Sequence, residues 1–156
     1  MLFAQFYLDG DRYLIEAKRI LEVLPLVRLK MIAHAPAYVA CLLNYRGEVV
    51  PVIDLCTLAL GRRCKDRLST RILLYHHRHA GEAAHMLGLL VEGMTEMVHR
   101  NAADFGPADV SVAESPYLGQ VLTDPAGVMQ KIDLDLLLPA EVQEILFISK
   151  SQEQKS

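Results

Sequence analysis

Leu43-Asn44-Tyr45-Arg46-Gly47-Glu48-Val49-Val50-Pro51-Val52-Ile53-Asp54-Leu55 is the stretch whose reading decides the fold. Val39 to Tyr45 and Glu48 to Ile53 are runs of β-forming residues around Arg46-Gly47, and Gly47 can adopt the positive φ that a tight turn requires. The pattern predicts a β-hairpin. Asp54 then precedes Leu55-Cys56-Thr57-Leu58-Ala59-Leu60 and Gly61. An acidic N-cap, apolar turns and a terminal glycine predict a short helix with both ends marked.

The same arrangement recurs. Tyr38-Val39-Ala40-Cys41-Leu42-Leu43, a turn with Gly47 and Val52-Ile53-Asp54-Leu55 are echoed by Tyr117-Leu118-Gly119-Gln120-Val121-Leu122, a turn with Gly127 and Lys131-Ile132-Asp133-Leu134. Tyr and Asp are equally far apart in both copies, and each Asp stands before a short apolar run. Upstream, Leu14-Ile15-Glu16-Ala17 finds an echo in Leu90-Val91-Glu92-Gly93. Two matches in the same order predict two related halves, each too small to bury a good core alone. Short strands with Gly and Pro turns point to small β-barrels, which close their edges by curling. The competing reading is one larger sandwich without duplication.

Outward towards the N-terminus, Phe3 to Leu8, Asp9-Gly10-Asp11 and Tyr13-Leu14-Ile15 read as another hairpin. Glu16 to Leu21 suits a turn or two of helix, and Glu22 to Leu29 is strand-like, with Pro25 marking an edge strand or a bulge. Ala35-Pro36-Ala37-Tyr38 reads as a helical turn. Towards the C-terminus a basic stretch, Arg62 to Arg71, is followed by strands at Ile72 to His76, His85 to Val91 and around Met94 to His99. Asn101 to Ser115 reads as a loop, Tyr117 to Ile132 as strand-turn-strand, and Asp133 as the cap of Leu134 to Leu138. Ser149 to Ser156 is a polar tail expected to fray.

Composition bounds the function. With 156 residues, 52% hydrophobic and 22% charged, the chain suits one ordinary domain or two small ones sharing a core, and extensive disorder is excluded. It needs neither metal nor disulfide to fold. A net charge of -3 argues against a nucleic-acid binder held by phosphate contacts. No stretch reaches the roughly 18–20 apolar residues of a membrane helix. Met1 to Leu8 lacks the basic region and cleavage site of a signal peptide. Three cysteines, an odd number, are expected to be reduced thiols. The expectation is a soluble cytosolic protein without cofactors.

Candidate chemistry is sparse. His76-His77-Arg78-His79, with His85 and His99 beyond, offers imidazoles, yet on a strand His77 and His79 share a face while His76 points away. A solvated loop tip running into Ala80-Gly81-Glu82 is the plainer expectation, with no metal site. Cys41 and Cys56 read as core fillers, and Cys64, among Arg62, Arg63, Lys65 and Arg67, is the one candidate for a lowered pKa. Asp54 and Asp133 read as N-caps rather than paired catalytic carboxylates. No Gly-rich phosphate loop, nucleophile elbow or HExxH occurs, so no catalytic residues are assigned and an enzyme is not expected. The basic cluster with Arg71 is either a solvated loop or a docking surface for an acidic partner. Arg46 has two readings: it points to water, or it folds back on backbone carbonyls or an acid from the other half.

Phe6-x-Leu8-x-Gly10-x-x-Tyr13-x-Ile15, then Ile20-x-Glu22-Val23, Pro36, and Leu43 to Leu55 with its Asn-x-Arg-Gly turn together resemble the CheW family. Gly88 to Met94 and Tyr117-Leu118-Gly119 resemble that domain's second half, so the likeness runs from about Phe3 to Leu138. It implies a mainly β fold of two SH3-like five-stranded β-barrels packed side by side with short helices. One domain over 1–148 is expected, with strands exchanged between halves of roughly 15–85 and 86–135 plus the N-terminal strand, and a tail at 149–156. The resemblance also implies a non-catalytic adaptor joining a chemoreceptor's cytoplasmic tip to a CheA-type histidine kinase, at membrane-associated arrays but without membrane insertion. Carried over by position, Ala17, Ile20 and Arg46 fall at receptor contacts, Glu22 and Val23 at kinase contacts, and Asn44, Arg46 and Gly47 form the hallmark turn.

Three departures bear on partner surfaces rather than fold. Cys41 stands where the family usually has Gly, Cys56 where Arg usually follows Asp-Leu, and Ala17 is smaller than the usual branched residue. By analogy they suggest a specialised pathway of the surface-sensing or twitching type. An apolar patch of Ile20, Leu21, Val23 and Leu24 around Glu22 is either docking surface or barrel core. Two other functions compete: a metal- or redox-responsive regulator using His76 to His79 and Cys64, and an antagonist that binds only one of the two partners.

Overall fold

The computed structural model describes residues 1–26, 36–78, 84–108 and 115–138. Strand β1 (Leu2–Leu8) and β2 (Asp11–Glu16) pair antiparallel around Asp9 and Gly10, both at positive φ (48° and 86°). That geometry matches the right-handed twist of the strands it joins. A single 3₁₀ turn, Ala17–Arg19, leads to β3 (Ile20–Pro25). Strands β4 (Val39–Tyr45) and β5 (Glu48–Asp54) form the expected hairpin, followed by helix α1 (Leu55–Leu60). Then come β6 (Arg71–His77), β7 (His85–Val91), β8 (Glu96–His99), a 3₁₀ turn at Ala102–Asp104, β9 (Leu118–Asp124), β10 (Gly127–Ile132) and a last 3₁₀ turn at Leu134–Leu136.

The strands form two five-stranded sheets, β8-β1-β2-β10-β9 and β3-β6-β7-β5-β4. They match position by position. Each has one parallel pair, β2 with β10 and β5 with β7, flanked by antiparallel ones. The sequence repeat therefore has a physical form: β1 to β5 is one copy and β6 to β10 the other. Each copy gives its first two strands to one sheet and its last three to the other. The repeated Tyr and Asp are joined through the backbone, since Asp54 N–H donates to Tyr38 O (2.7 Å) and Asp133 N–H to Tyr117 O (2.8 Å).

Strand alternation divides the apolar residues between three clusters. Ile72, Leu74, Val50, Val52 and Leu90 fill the curl of the second sheet, and Phe3, Leu14, Met129, Leu122 and Phe105 that of the first. The opposite faces meet in a larger shared core containing Phe6, Ile15, Ile53, Leu73, Tyr75, Leu89, Tyr117 and Ile132. Gly88 belongs to the second curl, where an added Cβ would stand 3.0 Å from both Ile72 and Val52.

Several expectations change in detail. The sheets curl, but among the described residues their backbone ladders do not close into barrels: β3 and β4 remain edges of one sheet, β8 and β9 of the other. Pro25 ends β3 without an N–H to donate, and β8 has only four residues, so neither offers a long edge to pair. The helix expected over Glu16 to Leu21 shrinks to one 3₁₀ turn, because Ile20 is drawn into pairing with Tyr75 of β6. His76 and His77 are not a loop tip. They end β6 opposite Met86 and His85, with His77 buried and His76 exposed. The chain passes from the second sheet back to the first between Val91 and Glu96, because β7 stays paired with β5 and β6. His79, Ala35, the extension of the third strand through Leu29 and the tail at 149–156 lie outside the described residues. Among the described residues no helix is long and apolar enough to cross a membrane.

Candidate functional site

The hallmark turn is built from two consecutive positive φ values, Arg46 at 51° and Gly47 at 82°. Asn44 Oδ1 accepts from Gly47 N–H at 3.1 Å, which fixes the turn from the side. Holding a non-glycine residue there costs about 1–2 kcal/mol. Arg46 therefore occupies a position where glycine would be conformationally easier, and its side chain is set well out into solvent, 78% exposed.

That side chain is not free. Its guanidinium lies 5.1 Å from the Tyr45 ring centroid and 4.0 Å from Glu22 Oε2. The Tyr45 hydroxyl also donates to the Glu22 carboxylate, and this bond holds the phenol pKa above its ordinary value. Of the two readings of Arg46, each is half realised: it faces water, and it also reaches an acid. That acid belongs to the same sheet, not to the other half of the molecule.

Strand β3 sorts its residues by face. Leu21 and Val23 are 49% and 39% exposed, whereas Ile20, Glu22 and Leu24 are half-buried. The expected patch is thus split: Leu21 and Val23 form an outward apolar pair, and Leu24 packs on the core of the curled sheet. Glu22 and Val23, adjacent in sequence, face opposite ways.

Ala17 and Ile20 stand at the other end, where the chain crosses between sheets. Arg19 ties this crossing down by donating to both carboxylate oxygens of Asp135 (2.7 and 3.1 Å) and to His76 O (3.3 Å). Beside it opens a cavity of about 330 Å³ lined by Ile15, Glu16, Arg19, Gly119, Lys131 and Asp135 among others. Lys131 sits 4.7 Å from the Phe105 ring centroid and 3.5 Å from Glu16, so acid, base and apolar surface alternate around the opening.

The remaining candidates are structural. Asp54 accepts from Thr57 N–H (3.0 Å) as the N-cap of α1, and also from Cys64 N–H (3.0 Å). Asp133 accepts from Asp135 N–H (3.0 Å) in the equivalent place. Cys41 and Cys56 are buried, as core fillers should be. Cys64 runs against expectation: its bond to Cys56, its burial and the nearby Asp54 charge push its thiol up, not down. Arg62, one of the flanking cations, is committed instead to Glu92 (2.7 Å) and Asp9 (2.6 Å). Tyr45, Arg19 and Asp135 escaped the sequence reading, since each acts through a partner remote in the chain.

The family described as CheW-like domain matches residues 3–142. The chain belongs to the CheW-like domain family. Chemotaxis protein CheW of Rhizobium meliloti (strain 1021) is 26% identical over 113 residues, which is 71% of this chain and 70% of that protein. Chemotaxis protein CheW of Helicobacter pylori (strain ATCC 700392 / 26695) is 25% identical over 114 residues, 72% of this chain and 66% of that protein. The crystal structure of scaffolding protein TtCheW from Thermoanaerobacter tengcongensis shares the fold, with a TM-score of 0.77 at 20% identity over 90% of this chain and 89% of that one. CheW-like membership and the two matched sheets bear out the expected family and mainly β fold.

Proposed function

We propose that this protein is a non-catalytic adaptor that couples a methyl-accepting chemoreceptor to a CheA-type histidine kinase in a cytoplasmic, array-associated complex. One observation carries the reading: Glu22 on β3 receives both Tyr45 and Arg46, so the hallmark turn is locked to the strand whose opposite face presents Leu21 and Val23. A charged, hydrogen-bonded turn and, on the other face of the strand, an outward apolar pair supply the polar and apolar parts of which protein interfaces are made. Glu22 and Val23 contact the kinase's regulatory CheW-like domain in this reading, and Ala17, Ile20 and Arg46 contact the receptor tip.

The adaptor role asks for no cofactor and no catalytic group. The carboxylates most open to a catalytic role, Asp54 and Asp133, each have an oxygen engaged as a cap. A metal-responsive regulator built on the histidine run is less well supported, because His76 and His77 face opposite sides of β6. The test is capture from native cells with the bound proteins identified by mass. Recovery of both a chemoreceptor and a CheA-type kinase supports coupling. Recovery of one favours the antagonist, and recovery of neither rejects the adaptor.

A further inference from the structure

Cys56 and Cys64 are eight residues apart in sequence, yet their sulfurs lie 2.9 Å apart. That is well inside ordinary sulfur–sulfur contact and within about 1 Å of a covalent disulfide. The approach is imposed by the backbone. Asp54 takes N–H groups from Thr57 in the first turn of α1 and from Cys64 beyond the helix, so one carboxylate pins the loop against the helix start. Gly61, at φ 74°, turns the chain back, and Glu92 then holds both the Arg62 guanidinium (2.7 Å) and Lys65 N–H (2.6 Å). Both cysteines are thus anchored on each side, one on the helix and one on the returning loop.

From this arrangement we propose that Cys56 and Cys64 are a modification site, a thiol pair that closes reversibly to an intramolecular disulfide stapling α1 to the following loop. The oxidant is a low-molecular-weight disulfide such as oxidised glutathione. Cys56 is fully buried and Cys64 partly exposed, which sets the order of events. The Cys64 thiolate attacks the glutathione disulfide, forming a protein–glutathione mixed disulfide and releasing one glutathione thiolate. Cys56 sulfur then attacks Cys64 sulfur, forming the internal bond and releasing the second glutathione. The two thiol protons end on the two glutathiones: the protein pair is oxidised by two electrons and one glutathione disulfide is reduced. Because the bond to Cys56, burial and the Asp54 charge push the Cys64 thiol up, the reactive fraction is small near neutrality and closure is slow.

The same residues also offer a carboxylate and two sulfurs within 4.8 Å, the makings of a metal site. Two thiolates on one tetrahedral zinc stand roughly 3.7 Å apart, given zinc–sulfur bonds of about 2.3 Å. The 2.9 Å approach is too close for that, and the Asp54 oxygens are already taken by N–H donors. The disulfide is therefore the better account.

The test uses the full chain, incubated natively with oxidised glutathione, then unfolded, alkylated and mapped by mass. Three alkylatable thiols should fall to one, Cys41, with a peptide linking Cys56 to Cys64 and an intact mass lower by two hydrogens. The melting temperature should rise by about 5 °C and return on treatment with dithiothreitol. Cys64→Ser should abolish both changes. Three surviving thiols, glutathione persisting on Cys64, a link through Cys41, or stoichiometric zinc in the isolated protein would each overturn the proposal. The wild-type peptide map decides even if the variant folds poorly.

Discussion

The Tyr45 hydroxyl donates to the Glu22 carboxylate across the mouth of a curled sheet whose two free edges, β4 and β3, carry the two residues. Among the described residues no backbone ladder joins those edges, so a side-chain bridge does what strand pairing does in a closed barrel. The other sheet has a counterpart. Arg100, just past β8, lies 3.6 Å from Asp124 at the end of β9, and Gly106 bridges Val121. Each curl is held at its opening by polar contacts and filled inside by apolar ones.

Replacing Tyr45 by Phe removes one hydrogen bond and keeps the ring under Arg46. The expected loss is about 1 kcal/mol of stability. Glu22→Arg goes further, setting two guanidiniums against each other, and should weaken binding of a CheA-type kinase fragment at least about tenfold while the fold survives. Chemical denaturation checks the first and calorimetric titration the second. An unchanged dissociation constant for Glu22→Arg removes Glu22 from the kinase surface.

Arg46→Gly separates stability from function. Glycine relieves the positive φ of 51°, so the melting temperature should hold or rise, by up to about 1 kcal/mol of stability. Receptor-dependent kinase activation should nonetheless fall, because the guanidinium is gone. Arg46→Ala loses both the side chain and some stability. Wild-type coupling by the glycine variant refutes the receptor role.

Gly88→Val places methyl groups where even a Cβ stands 3.0 Å from Ile72 and Val52. Overpacking of this kind costs about 1–3 kcal/mol. Chemical denaturation should register it, and a variant as stable as wild type would mean that the second curl is looser than its contacts indicate.

Acid should unfold the protein through two carboxylates. Arg62, aided by Lys65 N–H, holds Glu92 down to about 2 against an ordinary 4.5, and Arg12 holds Asp124 down to about 2 against 3.8. Both are depressed in the folded state, so the stability they contribute is complete above the ordinary values and is lost as pH falls from about 4.5 towards about 2. Melting temperature against pH should drop across that window. Glu92→Gln should lower the plateau above it and flatten the slope.

What the sequence made legible follows from how local each signal is. The hairpins at Asp9-Gly10 and Arg46-Gly47, and the caps Asp54, Gly61 and Asp133, are set within a few residues, and all formed where expected. The repeat was legible because both copies preserve one backbone bond, Tyr38 to Asp54 and Tyr117 to Asp133. The Glu22–Tyr45 bridge was not, since its partners meet only after five strands have curled. Nor was the raised Cys64 thiol: flanking arginines suggest a lowered pKa until the fold commits Arg62 to Glu92 and Asp9. His77 likewise looked like a loop residue until pairing with β7 drew it inside.

The exchange of strands between the two repeats governs how the chain can come apart. Each sheet takes two strands from one repeat and three from the other, so a break between α1 and β6 yields two pieces, neither holding a complete sheet. Sheets assembled from such distant segments form late and together, since the entropy of closing long loops precedes any gain from pairing. One repeat alone should therefore not fold, and the two copies should melt in a single transition.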